Sequence, residues 1–158
     1  MKKVLLGALI LFLCLPLKAK AEDIPEELEE YFLFAGEEFN ISPELLEAIA
    51  YYESRFTPDV KNGSHYGLMQ INVKVHAERI KKYGWTKEDM LNPQKNLIVA
   101  ADYLSELYET HEDDATVLAH YSGNAKKKGT CKYAKKVIKR SSEYEELHIK
   151  HKGGREDV

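Results

Sequence analysis

Glu53 is the side chain whose position first calls for an explanation. Leu46, Ile49 and Ala50 recur at three- and four-residue spacing and mark the apolar face of a helix. Glu53 follows Leu46 by seven residues and Ala50 by three, so the same periodicity carries a carboxylate to the centre of that face. Glu44 and Glu47 are expected to point to solvent. A carboxyl group on an apolar face resists ionisation, which raises its pKa. A general acid for glycoside cleavage near neutral pH needs that shift. The competing reading places Glu53 at the helix end, paired with Arg55 or a lysine. Periodicity alone does not separate the two.

No second carboxylate has a comparable context. Asp59 falls in a stretch rich in Gly, Asn, Ser and Pro, and Asp102 stands beside Tyr103 in a helical run. Ordinary glycosidases use two carboxyl groups, one as acid and one as nucleophile or base. The histidines His65, His76, His111, His120, His148 and His151 stand singly. No spacing supplies a set of metal ligands, so neither a metal nor a cofactor is expected.

The elements that must position Glu53 are short helices punctuated by Pro, Gly and Asn. Pro25 opens an acidic amphipathic segment that runs to about Phe39. Ser42-Pro43 joins a capping hydroxyl to a proline at the first helical position, and predicts a helix to Ser54 or Arg55. Residues 57–72 read as an irregular crossing, followed by a helix near 73–83 that ends at Gly84. Asn92-Pro93 repeats the cap-and-proline signal and opens the longest helix, to about His111. Leu97, Ile98, Ala101, Leu104, Leu107 and Tyr108 keep helical spacing there. Asp113 or Asp114 caps a helix through Tyr121, and a basic helix follows from about Lys132 to Arg140. The last fifteen residues are polar and expected to fray. No alternating strand pattern and no internal repeat is visible, so the predicted fold is all-α.

The beginning of the chain reads as an export signal over residues 1–21. Lys2 and Lys3 precede a 14-residue apolar run, Val4 to Leu17, and Ala19-Lys20-Ala21 supplies a cleavage site. That run is short of the roughly 20 residues a spanning helix needs, so no stable membrane insertion is expected after cleavage, a retained anchor being the alternative. Leu13 before Cys14 is unlike a lipid-attachment box. The remaining residues 22–158 then form one domain outside the cytoplasmic membrane, with a core over about 40–140. Removing residues 1–21 takes away four lysines and no acids, leaving 19 basic and 26 acidic side chains and a formal charge of −7. Such a balance excludes nonspecific nucleic-acid binding, which rests on neutralising phosphates. Cys131 would be the sole cysteine left, so the core must hold the fold without a disulfide.

Residues 53–56 read Glu-Ser-Arg-Phe, and residues 66–72 read Tyr-Gly-Leu-Met-Gln-Ile-Asn after a Gly63-Ser64 turn. This arrangement resembles the lytic transglycosylases with a lysozyme-like fold. A Glu-Ser pair ends a helix in that family, and a Gly-Leu-Met-Gln segment follows about a dozen residues on. The resemblance continues through Asn92-Pro93, Asn96, Ile98, Tyr103 and Ala119-His120-Tyr121-Ser122-Gly123, and ends with Tyr133 and Val137. It departs at Ser122, where family members usually carry Asn, and at His120, which reads as packing or surface.

By that resemblance the fold is a lysozyme-like helical domain with an active-site groove, and Glu53 is the catalytic acid/base. Ser54 and Gln70 would orient the sugar or the carboxyl group, Gly67, Leu68 and Met69 would shape the floor, and Tyr121 would reach both Glu53 and substrate. The implied substrate is the glycan strand of peptidoglycan, cut between N-acetylmuramic acid and N-acetylglucosamine to leave a 1,6-anhydro end. A water-using muramidase and a non-enzymatic wall-binding scaffold of a secretion apparatus are the alternatives. The small exported form resembles specialised members that open the wall for secretion, conjugation or pilus machines. A basic run, Lys126 to Lys128 with Lys132, Lys135, Lys136, Lys139 and Arg140, could contact anionic wall polymers, though most such runs are solvated faces.

Overall fold

The computed structural model describes residues 24–125 and 131–153. The signal-like segment 1–21 and Lys126 to Lys128 lie outside them. The described chain forms α1 (Glu26–Phe39), α2 (Pro43–Ser54), β1 (Lys61–Asn62), β2 (His65–Tyr66), β3 (Ile71–Asn72), α3 (Ala77–Lys82), a 3-10 turn (Glu88–Leu91), α4 (Pro93–Thr110), α5 (Asp114–Tyr121) and α6 (Lys132–Gly153).

The three expected caps form where the sequence puts them. Ser42 accepts from the Leu45 N–H at 3.2 Å, Asn92 from Lys95 at 3.0 Å and Asp113 from Thr116 at 2.9 Å. Each satisfies an amide that the first helical turn leaves unpaired. α2 ends with Arg55 and Phe56 in succession at φ 54° and 58°. This double left-handed turn reverses the chain and sends the Phe56 ring into the core, where it meets Phe32 edge-on.

Four expectations change. Residues 61–72 hold a small antiparallel sheet in the order β1-β2-β3, whose two-residue strands are too short to show an alternation. α3 begins at Ala77 rather than 73, because Asn72 Oδ1 accepts from the Lys74 and Val75 N–H groups and holds them in a turn. α6 runs to Gly153, past the expected end near Arg140 and into the last fifteen residues, since Tyr144 is fully buried and anchors it; residues 154–158 lie outside the described residues. Finally, Glu47 does not face solvent: it is 2% exposed.

The Glu47 result follows from how α2 is packed. α1 lies on one side of it and α6 on another, so Leu45, Leu46, Glu47, Ala48, Ile49 and Ala50 are all buried. Burial first, then the charges of Glu44 and Glu29, push the Glu47 carboxyl up to about 9. Glu47 is therefore neutral at physiological pH. His148 of α6 stands between two carboxyl groups of α2, with Nδ1 3.2 Å from Glu44 and Nε2 3.5 Å from Glu47. The centre of the core, with Leu46, Ile49, Leu68, Met69, Leu97, Leu104, Leu118 and Val137, joins α2, the sheet, α4, α5 and α6 into one body. Among the described residues no helix is long and apolar enough to cross a membrane.

Candidate active site

The last turn of α2 delivers Glu53 to the wall of a groove of about 530 Å³. Tyr52 and Glu53 come from α2, His65, Gln70 and Asn72 from the sheet region, His76 and Tyr103 from the α3 and α4 side, and Tyr121, Asn124 and Tyr133 from α5 and beyond. Among these described lining residues Glu53 is the sole carboxylate, and none is Lys or Arg. The groove therefore offers one acid in an aromatic and amide setting.

Tyr133 fixes the orientation of that acid. Its hydroxyl donates to Glu53 Oε1 at 2.6 Å. Burial and the neighbouring Glu53 push the phenol far above its ordinary pKa, so it keeps its proton and remains the donor. With Oε1 engaged, the proton of neutral Glu53 belongs on Oε2. Burial pushes the Glu53 pKa up, and the opposing effects of the Tyr133 bond and of His65 do not reverse the rise. We expect Tyr133→Phe to fold and to lose about tenfold to a hundredfold in kcat/KM, the scale of one hydrogen bond to a charged group. Its alkaline limb should move to higher pH, because the lost bond favoured the ionised carboxylate. Steady-state rates across pH check both.

The two other groove-lining residues foreseen from sequence are Gln70 and Tyr121. Gln70 has φ 48°, and its Nε2 donates to Val60 O at 3.2 Å and Gly67 O at 3.0 Å. Both amide hydrogens are thus taken, leaving Oε1 for a ligand. Tyr121 donates to the Met69 carbonyl at 2.9 Å. Burial first, then Glu53, pushes its pKa well up. Its ring leans towards Tyr103, with centroids 5.8 Å apart, and Tyr103 in turn faces His76 at 4.5 Å.

Ser54, Gly67, Leu68 and Met69 lie beneath the groove rather than on it. Leu68 and Met69 are fully buried, and Ser54 spends its one proton on Leu68 O at 2.7 Å. At Gly67, φ is 78° and a Cβ would fall 2.0 Å from Met90 O, so this close crossing admits only glycine. Asn96, fully buried on α4, completes the brace. Its Oδ1 accepts from Met69 N–H at 2.7 Å, and its Nδ2 donates to Tyr66 O at 2.8 Å and Met90 O at 2.9 Å. These residues hold the loop that carries Gln70. Ser54→Ala should therefore cost about 1–3 kcal/mol by leaving a buried carbonyl unpaired, with a smaller effect on turnover than Tyr133→Phe. Denaturant unfolding beside steady-state kinetics reads the difference.

Sequence reasoning gave no role to Tyr133, His65, His76, Tyr103 or Asn96. Asn96 carried a usable signal, since a polar residue sits on an apolar helical stripe as Glu53 does. The aromatic and imidazole groups converge from distant segments, and no local spacing marks them. An amide does stand close to Ser122, two residues on in the chain. Asn124 lines the groove and donates to Ser122 O at 3.0 Å and Ser122 Oγ at 3.2 Å. His120 lies against His111 with the rings tilted by 31° and centroids 4.3 Å apart, and it also lines the groove.

Comparison with known proteins agrees with this architecture. Residues 30–142 match the transglycosylase SLT domain. Invasion protein IagB of Salmonella typhi is 34% identical over 133 residues, which is 78% of this chain and 82% of that protein. Protein IpgF of Shigella flexneri is 34% identical over 115 residues, 67% of this chain and 75% of that protein. Endo-type membrane-bound lytic murein transglycosylase A of Citrobacter koseri is 35% identical over 78 residues, covering 45% and 38% of the two chains. An inactive mutant of the lytic transglycosylase Slt from Pseudomonas aeruginosa shares the fold, with a TM-score of 0.64 at 18% identity. That match covers 75% of this chain and 24% of the Slt chain, so the present sequence spans about a quarter of it. The chain belongs to the transglycosylase SLT domain family, the lytic transglycosylases of peptidoglycan.

Proposed function

We propose that Glu53 serves as both general acid and general base in cutting the β-1,4 bond between N-acetylmuramic acid and N-acetylglucosamine. The observation that carries this reading is a single, partly buried carboxyl held by Tyr133 in a groove with no second carboxylate among its described lining residues. Glu53 Oε2–H protonates the glycosidic oxygen as the bond to muramoyl C1 breaks. The substrate's own acetamido group stabilises the cation, in place of the absent second carboxylate. The Glu53 carboxylate then takes the proton of the C6 hydroxyl, and that oxygen closes on C1. A 1,6-anhydromuramoyl end forms, no water is consumed, and Glu53 regains its proton. Tyr133 holds Oε1 throughout, while Gln70 Oε1 and the Tyr121 ring orient the sugar. Ser54, Gly67, Leu68 and Met69 support the floor from below.

Mass spectrometry of the products released from purified walls tests the outcome. Ends lighter by one water than reducing muramic acid are expected. Reducing ends would make the protein a hydrolase on the same groove, and intact walls with folded protein would make it a scaffold. The site of action proposed is outside the cytoplasmic membrane, with an exported chain that begins at Glu22, which N-terminal sequencing reads directly. On the resemblance to small specialised members, the partner proposed is a secretion, conjugation or pilus apparatus for which local gaps in the wall are opened.

A further inference from the structure

Sequence spacing offered Arg55 as a partner for Glu53, but the fold gives Glu53 to Tyr133 and turns Arg55 onto Tyr51. Arg55 ends α2 at φ 54°, a left-handed position where glycine or asparagine is the usual residue. Its side chain is exposed, and its guanidinium carbon stands 3.9 Å from the centre of the Tyr51 ring. Arg140 of α6 reaches the same ring, also at 3.9 Å. No more than twice that distance can separate the two cations.

Neither charge is neutralised within the described fold. Among the described residues the Arg55 side chain has no ion pair and no hydrogen bond, only its contacts with the Tyr51 and Tyr52 rings. Arg140 Nε and Nη1 are buried without hydrogen-bond partners among the described residues. Glu143 is the acid recorded near them, 3.6 Å from Arg140 Nε and closer, at 3.3 Å, to Lys139 Nζ. Two like charges on one ring repel, and an anion set between them turns that repulsion into attraction. The planar fork of arginine matches a carboxylate in particular.

Tyr52 joins this pair to the groove. It lines the groove beside Glu53, and the two guanidinium carbons lie 6.0 and 5.9 Å from its ring centre. The groove lining itself contains no Lys or Arg. Arg140 follows Tyr133 on α6 by seven residues, or about 10 Å of helix axis. Two or three residues of extended peptide cover that distance, at about 3.5 Å each. Muramoyl residues of peptidoglycan carry a short peptide with free carboxylates.

We propose that Arg55 and Arg140 form a carboxylate-binding site beside Tyr52, which holds the peptide stem of a muramoyl residue lying in the groove. The inference rests on peptidoglycan being the substrate, and goes further by naming what recognises its peptide. A cation is also favourable at the C-terminal end of a helix. That role alone is blind to the peptide.

The test compares stem-bearing glycan strands with strands stripped of their peptides by an amidase, both offered to the full chain. In Arg55→Gln the ratio of kcat/KM on stem-bearing strands to that on stripped strands should fall about tenfold, the scale of one hydrogen bond to a charged group. The loss should appear in KM rather than kcat. Arg55→Lys keeps the charge without the fork and should recover only part of the ratio. Arg140→Gln should lower the ratio likewise; should it fail to fold, Arg55→Gln still decides. Binding of stem-bearing fragments to Glu53→Gln, with and without Arg55→Gln, is measured alongside, and Kd should rise by the same factor. An unchanged ratio and Kd in folded Arg55→Gln, or equal losses on stem-bearing and stripped strands, would overturn the proposal. So would binding of polyphosphate that needs Arg55 when binding of stem-bearing fragments does not. If the parent leaves every strand intact while Arg55-dependent binding of stem-bearing fragments persists, the cleavage reading fails and this one stands.

Discussion

Glu53→Gln is expected to abolish glycan cleavage while leaving the protein folded. Glutamine matches the size of the side chain, and its carbonyl oxygen can still accept from the Tyr133 hydroxyl that now holds Oε1 at 2.6 Å. What it lacks is a proton to give to the leaving oxygen and a basic site to take one back. General acid–base assistance supplies about 10²–10⁴-fold. One residue performs both transfers in the proposed scheme, so the loss should lie at or beyond the top of that range. Stability should hold or rise slightly, because burial disfavours the charged carboxyl and an amide never ionises.

Asp59 and Asp102 provide the controls. Asp59 is exposed, and Asp102 is tied to Arg79 at 2.9 Å and Lys82 at 3.5 Å, away from the groove lining. Asn at either position should leave turnover close to the parent's, with Asp102→Asn lowering the melting temperature by weakening the α3–α4 contact. Muropeptide release and thermal melting, measured on all three variants, check this. Activity in Glu53→Gln would refute the mechanism. A comparable collapse in folded Asp59→Asn or Asp102→Asn would indicate a two-carboxylate hydrolase.

The features legible in the sequence were those that depend on a few consecutive residues. Ser42, Asn92 and Asp113 cap helices because a side-chain oxygen meets an amide three residues on, and that geometry is local. Glu53 was legible as a break in a periodic pattern. Glu47 was misplaced for the converse reason: a stripe drawn from Leu46, Ile49 and Ala50 describes a helix with one buried side, whereas α1 and α6 enclose α2 more widely. The length of α6 was hidden likewise, since Tyr144 is held by packing against Phe56 from a segment almost ninety positions earlier. The surroundings of Glu53 are the least local of all. Tyr133 reaches Glu53 across 80 residues and Tyr121 reaches Met69 across 52, and only the folded chain sets those distances.

Glu47→Gln is expected to stabilise the protein, and by an amount that grows with pH. The folded carboxyl titrates at about 9 against an ordinary value of 4.5, because it is buried and faces Glu44 and Glu29. Below pH 4.5 the group is neutral in both folded and unfolded chains and has no net effect on stability. Above that, the unfolded chain gains the freedom to ionise while the folded one does not, so stability falls steadily until about pH 9. At pH 7 the deficit is about 3 kcal/mol, since each tenfold change in a proton-binding equilibrium is worth about 1.4 kcal/mol. His148, 3.5 Å from Glu47 Oε2, is too distant for a strong bond, and that oxygen has no hydrogen-bond partner among the described residues. Glutamine removes the titration and keeps the volume. The variant should therefore match the parent at pH 4 and exceed it by about 3 kcal/mol at pH 7, on the order of 10 °C in melting temperature for a domain of this size. Melting curves from pH 4 to 8.5 decide the matter: a parental melting temperature with no downward trend beyond that of Glu47→Gln, or a less stable variant at pH 7.5, would show that Glu47 is ionised and paired in the fold.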